Sequence, residues 1–99
     1  MHVVVSWDIK TTAPRWDVID GMMRAALKPH SWVRPLSTFY IVRVASETER
    51  IALKLRLLEV VTDVPERVHF LVSPAMIGGN YTGWLPRDMW PKVSARSAP

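Results

Sequence analysis

Apolar and polar residues alternate along the opening segment of the chain, which reads VVVSWDIK over residues 3–10. Alternation with β-branched residues predicts a β-strand that has one bulky face and one face of mostly smaller side chains. The bulky face holds Val3, Val5, Trp7 and Ile9, and the other face holds His2, Val4, Ser6 and Asp8. Asp8 stands at the end of this strand, where a carboxylate either takes part in chemistry or serves the local structure by capping the next turn or pairing with a basic side chain.

Apolar residues then recur at helical spacing until Pro29 ends the pattern. Residues 11–14 are typical of a helix entry, and we predict a helix between this entry and Pro29. Its apolar positions are Trp16, Ile19, Met22, Met23, Ala26 and Leu27. Asp17 and Asp20 share one side of this helix, and because no third ligand accompanies them we interpret both as part of a solvated helix face.

The middle of the chain, residues 32–44, is rich in residues that favour β-structure. Pro35 cannot donate a ladder hydrogen bond, so an uninterrupted central strand is not expected here. We predict two short strands, at 32–36 and 38–44, joined by a tight bend or bulge near Ser37.

A second helix and a final strand follow. Ser46 and Glu49 form a capping-box pattern, which predicts a helix that continues to Val61. The apolar side of this helix is predicted to hold Ile51, Ala52, Leu55 and Leu58. Residues 68–73 alternate again and predict the last strand, which ends before Pro74.

The order strand, helix, strand, strand, helix, strand predicts an α+β fold of the ferredoxin-like type (βαββαβ), with an antiparallel sheet and two helices on one face. The opposite face of the sheet is expected to be bare, so self-association through that face is the simplest expectation. We predict one domain over residues 1–93 and a disordered tail over 94–99.

The segment at residues 80–90 carries large apolar side chains close to the C-terminus. We predict that it forms either a short fifth strand or a strap laid on a partner subunit. Trp84 and Trp90 are costly in water, so we expect them to bury against the domain or against its twin.

Composition and charge narrow the function. The chain of 99 residues has 48% hydrophobic residues, which suits one compact domain, and it has no cysteine, which excludes disulfides and thiolate metal sites. It carries no apolar run long enough to cross a membrane and no secretory signal pattern, so a cytoplasmic protein without a membrane role is expected. Thirteen basic residues against nine acidic ones give a net charge of +4, which favours a polyanionic partner such as nucleic acid.

Candidate contacts to that partner come from the β-rich middle of the chain. Arg34 and Arg43 are the preferred phosphate contacts, and the alternative is that they are solvent-facing arginines that protect a sheet edge. The five tryptophans of the chain either stack on unpaired bases beside these arginines or build the core and a dimer interface. His69 is predicted to share the bare face with Asp8, as a surface histidine or as a general base.

Several segments together resemble one protein family. The strings VVVSWDIK, STFYIV, VHFLV and GGNYTGWLP, followed by Trp90, are similar to the SinR-like small proteins, relatives of the small CRISPR-adaptation subunit and of VapD toxins. The most specific parts are the aromatic-Asp pair at Trp7 and Asp8 and the string at residues 80–86. The resemblance implies a ferredoxin-like homodimer in which Asp8 of each subunit faces its symmetry mate. Trp7 replaces the tyrosine usual in that pair, which argues against a role for a phenolic hydroxyl there.

Relatives in this family are reported either as metal-dependent nucleases acting on RNA or DNA or as non-catalytic scaffolds on duplex DNA, so three functions are expected. The first is a dimeric nucleic-acid-binding protein without strong catalysis. The second is a Mg²⁺-dependent endonuclease, a phosphodiesterase in which paired Asp8 carboxylates hold the metal. The third is a protein-interaction or toxin-type module that binds a protein partner through its bare face and through Trp84 and Trp90.

Overall fold

The computed structural model describes residues 1–75 and 82–96, which form four strands and three helices. The elements are β1 (His2–Ile9), α1 (Arg15–Ala25), β2 (Trp32–Leu36), β3 (Phe39–Arg43), α2 (Glu47–Asp63), β4 (Val68–Pro74) and α3 (Met89–Ala95). The strands pair antiparallel in the order β2-β3-β1-β4. This α+β architecture is compatible with the predicted ferredoxin-like type. Within the described ranges, no helix is both long and apolar enough to cross a membrane.

The main core lies between one face of the sheet and the helices α1 and α2. The predicted bulky face of β1 is buried in this core, as the alternation indicates. Ile19, Met23 and Leu27 come from α1 and the turn after it, and they pack against the same face. We refer to this side of the sheet as the helix face.

The helix α2 begins with the predicted capping box. The Ser46 hydroxyl accepts a hydrogen bond from the Glu49 backbone N–H at 3.3 Å, and the Glu49 carboxylate accepts one from the Ala45 N–H at 2.6 Å. These two bonds satisfy backbone donors that the first turn of a helix otherwise leaves unpaired. The helix continues to Asp63, two residues beyond the predicted end.

The side of α2 that packs on the sheet is not the predicted apolar side. Leu53 and Leu57 are fully buried against the sheet, whereas Ile51, Leu55 and Leu58 of the predicted apolar side are exposed, with Leu55 at 50%. The helix carries apolar residues on two sides, so each side offers a spacing of three or four residues. The side that continues into the buried Val64 after the helix end is the one that packs on the sheet.

The opposite side of the sheet, which we call the second face, is not bare as predicted, because α3 covers part of it. Val93 of α3 is buried with Val33 and Ile41, so the helix lies over the half of this face formed by β2 and β3. The half formed by β1 and β4 has no helix over it within residues 1–75 and 82–96. Leu71 on that half is 66% exposed.

The C-terminal segment does not form a fifth strand, one of its two predicted forms, over its described residues. Residues 82–86 have no regular secondary structure, and the part that follows forms the helix α3. This helix extends to Ala95, so the tail predicted from residue 94 begins inside its last turn. The glycine pair and the first two residues of the family-like string at 80–86 lie within residues 76–81, which are outside the described residues, as are residues 97–99.

Candidate nucleic-acid interface

Asp8 lies at the end of β1 on the open half of the second face. Its side chain is 61% exposed, and its carboxylate forms an ion pair with Lys10, with 2.5 Å between Oδ2 and Nζ. The structural alternative, pairing with a basic side chain, is therefore realised in the single chain. Because both partners are exposed to water, this pair contributes little to stability and leaves the carboxylate accessible.

His69 lies directly across from Asp8. The two residues share one face of the sheet, as predicted, and are register partners between β1 and β4. Both line a shallow depression of about 270 Å³ together with Ser6 and Leu71. Among the residues that the structure describes, no group of three or more histidine, cysteine or acidic side chains is arranged to hold a metal ion. A metal site at Asp8 therefore requires ligands beyond those that the described part of one chain brings together.

Arg34 and Arg43 lie on opposite faces of the sheet and therefore cannot both contact the same phosphate. The guanidinium of Arg34 stands 6.0 Å from the ring centre of Tyr40, whose ring stacks on Trp7 at 4.5 Å on the helix face. Arg43 is the register partner of His2, which belongs to the second face of β1. Of the two predicted phosphate contacts, only Arg43 shares a face with α3.

Positive charge gathers around His2 at the start of β1. The pKa of His2 lies below its usual value of 6.5, first because the ring is partly buried and then because the Met1 ammonium, Arg96 and Arg43 repel a proton from it. Arg96 is held near the end of α3, where its guanidinium donates to the Lys92 carbonyl at 3.2 Å. We call Arg43, Arg96 and the Met1 ammonium, grouped around His2, the cationic cluster.

The acidic residues nearest this cluster already have other partners. Glu47 and Glu49 line the neighbouring depressions at the start of α2. Arg50 forms an ion pair with Glu47 and holds the pKa of its carboxyl below the usual value, while the Glu49 carboxylate accepts from Ala45. In the described part of the chain, neither Arg43 nor Arg96 forms a salt bridge, so their charge is available to a ligand.

An apolar pocket of about 270 Å³ opens beside α3 on the same face. We call it the aromatic pocket, and its main lining residues are Leu36, Phe39, Trp84, Leu85, Trp90 and Val93. Trp90 lies in α3 and is half-buried, whereas Trp84 is 96% exposed. Trp84 is thus not buried against its own domain, and its burial against a twin stays a prediction.

Asp20 is the polar residue whose environment differs most from the sequence-based interpretation. It is 3% exposed rather than solvated. One carboxylate oxygen accepts the indole N–H of Trp7 at 3.0 Å, and the other lies 3.2 Å from the guanidinium Nε of Arg24. The sequence feature that indicates the burial of Asp20 is its position between Ile19 and Met23, on the apolar side of α1.

Neither a scan of the sequence against models of known protein families nor a search of curated proteins finds a match. The resemblance to the SinR-like small proteins therefore stays a prediction.

Proposed function

We propose that the protein is a dimeric nucleic-acid-binding protein of the SinR-like type, without strong catalysis. The observation that supports this function is the cationic cluster. Arg43 and Arg96 come from different elements, lie on one side of the sheet and have no salt-bridge partner in the described part of the chain. Arginines in this state bind phosphate oxygens and release the counterions condensed on a nucleic acid.

The position of the cluster also suits a backbone contact. Lys92 of α3 lies one helical turn before Arg96, which follows the end of this helix, so positive charge continues along the exposed side of α3. Phosphate contacts of this kind fix position and orientation but carry no sequence information. The binding surface is therefore expected to be tolerant of sequence and sensitive to salt.

The dimer proposal is supported by the open half of the second face. Leu71 is 66% exposed beside Ser6 on that half, and a second copy of the chain would cover both residues. A two-fold contact through one patch pairs each surface with itself, so one small apolar patch serves both subunits. Sedimentation velocity should find a dimer, and Leu71→Asp should shift it toward monomer.

The test of nucleic-acid binding is a salt titration with a labelled oligonucleotide, read by fluorescence anisotropy. The wild-type affinity should fall steeply as salt rises, and Arg43→Ala should weaken binding and reduce the slope of log K against log salt by about 1. Arg67→Ala is the matched control, because Arg67 is exposed just before β4, at the opposite end of the sheet. An equal loss in both variants, or a wild-type affinity that does not change with salt, would overturn the proposal.

A Mg²⁺-dependent endonuclease is the second candidate, supported by the exposure of Asp8 on the open half of the second face and by His69 opposite it. In a dimer formed through this half, two Asp8 carboxylates would share one Mg²⁺ that activates water. Asp8→Asn should abolish cleavage of RNA or DNA without lowering the melting temperature, and the exposed Asp17→Asn should retain it. Cleavage that survives Asp8→Asn, or that needs no divalent metal, eliminates this candidate.

A further inference from the structure

The aromatic pocket is built from two separate parts of the chain. One wall comes from the turn between β2 and β3, through Leu36 and Phe39. The other wall comes from the segment before α3 and from the helix itself, through Trp84 and Trp90. Among residues 1–75 and 82–96, no charged side chain lines the pocket, so the pocket suits an apolar or aromatic group.

Trp84 is the residue that makes this pocket unusual. Trp84 is 96% exposed at the pocket. The space beside the adjacent Gly83 is open, because no described residue other than its chain neighbours has a heavy atom within 4 Å of a Cβ placed on Gly83. A flat ring in this position offers a large stacking surface. Aromatic side chains exposed in this way are what single-stranded nucleic acids use, because every base has a face that stacks on them.

Positive charge near the aromatic pocket indicates that its occupant carries negative charge. The segment that follows Trp84 carries Arg87, Lys92 and Arg96 against the single acidic residue Asp88. Phe39 at the pocket and Arg43 at the cationic cluster are the two ends of β3, about 13 Å apart at roughly 3.3 Å per residue. An apolar pocket and a phosphate-binding cluster thus lie on one face, within the reach of a short strand.

Other occupants account for only part of this arrangement. A neutral apolar ligand would fill the aromatic pocket but would leave the cationic cluster without a role. A duplex would use the cationic cluster, but its bases are stacked inside the helix and do not reach a pocket in the protein. A single strand uses both, because its bases are free to stack while its phosphates remain continuous.

We propose that the aromatic pocket binds an unpaired base of a single-stranded nucleic acid, whose phosphates follow α3 to the cationic cluster. This inference rests on the proposed nucleic-acid-binding function and names its substrate as single-stranded. Trp84 stacks on the base, and Lys92 and Arg96 contact the backbone that leads toward Arg43.

The experiment compares a labelled oligothymidylate with a mixed-sequence duplex of equal length, titrated by fluorescence anisotropy at fixed salt. The single strand should bind more tightly than the duplex. Trp84→Ala should weaken binding of the single strand about tenfold, change duplex binding less than about twofold and leave the salt slope unchanged. The matched control is Leu55→Ala, which removes an exposed apolar side chain from α2 and should change neither affinity.

Failure of this inference is distinguishable from failure of the proposed function. If both nucleic acids bind with a steep salt dependence and Trp84→Ala changes neither, the pocket is not a base site and the general function stands. If Trp84→Ala instead shifts the dimer toward monomer and weakens both ligands equally, the pocket belongs to the subunit interface and the inference is overturned. If neither nucleic acid binds, both proposals fall together.

Discussion

The two faces of the sheet differ in how their polar groups are paired. On the helix face, the buried Asp20 is shared between Trp7 and Arg24, and Arg15 is paired with Glu66 at 2.6 Å. On the second face the exposed Asp8 is paired with Lys10, but Arg43 and Arg96 form no salt bridge in the described part of the chain and Trp84 is exposed to water. Polar groups that are paired within the chain stabilise the fold. Charged and aromatic groups that are exposed without such a partner are available to bind a ligand.

Several polar groups buried on this side of the sheet depart from this rule, the guanidinium Nε of Arg24 and the Tyr40 hydroxyl among them. The Tyr40 hydroxyl is buried without a hydrogen-bond partner in the described part of the chain, and burial raises its pKa although the nearby Arg34 guanidinium opposes the shift. Its ring is nevertheless well packed, with Trp7 stacked on it and Trp32 edge-on at 5.1 Å. The aromatic contacts therefore hold Tyr40 in place despite the unpaired hydroxyl.

The largest expected effect tests which side of α2 belongs to the helix face. Leu57→Ala should lower the free energy of unfolding by about 3 kcal/mol, because it opens a cavity under a fully buried side chain. Leu55→Ala on the exposed side should lower it by less than about 1 kcal/mol. Urea denaturation of the two variants measures the difference. Equal losses would mean that both sides of α2 are buried in solution.

The second-largest expected effect on the free energy of unfolding comes from removing a polar contact of the helix face. Asp20→Ala leaves the Trp7 indole N–H without its acceptor, which should lower the free energy of unfolding by about 2 kcal/mol. Asp17→Ala, on the exposed side of the same helix, should change it by less than about 0.5 kcal/mol. Thermal unfolding followed by tryptophan fluorescence measures both. A harmless Asp20→Ala would show that its two partners find water instead.

The elements of the helix face that a local pattern specifies were predicted from the sequence. The buried face of β1 follows from two-residue alternation, and the start of α2 follows from Ser46 and Glu49, which interact across three residues. The orientation of α2 did not follow, because Leu53, Leu55 and Leu57 place leucines on both sides of the helix. Both sides of α2 have apolar residues at helical spacing, so the side that is buried is determined by packing against the sheet.

The second face was harder to predict because distant segments build it. The prediction that Asp8 and His69 share one face is confirmed, because it requires only that β1 and β4 are neighbouring strands. Arg34 and Arg43 belong to different strands with a register shift between Val33 and Leu36, so their faces depend on hairpin geometry that propensity does not encode. The helix α3 was missed because seven residues that include Pro91 give little periodic signal.

A smaller effect tests whether α3 closes half of the second face. Val93→Ala removes two methyl groups from a buried contact with Val33 and Ile41, which should lower the free energy of unfolding by about 1.5 kcal/mol. Val18→Ala on the exposed side of α1 is the control and should have little effect. Hydrogen exchange should also speed up in α3 alone. An unchanged exchange rate there would mean that α3 does not depend on this contact.

The smallest expected effect is a shift in the pKa of His2, measured by NMR titration. It tests whether positive charge is concentrated on the second face. Burial and three positive groups lower its pKa below 6.5, so the folded state binds fewer protons than the unfolded state does. Stability should therefore rise with pH until about 6.5, be constant above it, and decrease as pH falls from 6.5 toward the lowered pKa. Arg43→Ala should raise the pKa of His2 toward 6.5, because it removes one repelling charge.

Arg67→Ala provides the comparison, since Arg67 lies at the far end of the sheet and should leave the His2 titration unchanged. Bound oligonucleotide should also raise the pKa of His2, because phosphates neutralise the repelling arginines. These two shifts share a direction but have separate causes, so Arg43→Ala protein should show a smaller further shift on binding. If the oligonucleotide raises the pKa of His2 equally in wild type and in Arg43→Ala, the phosphates do not sit at Arg43, and the contrast between the two faces concerns folding alone.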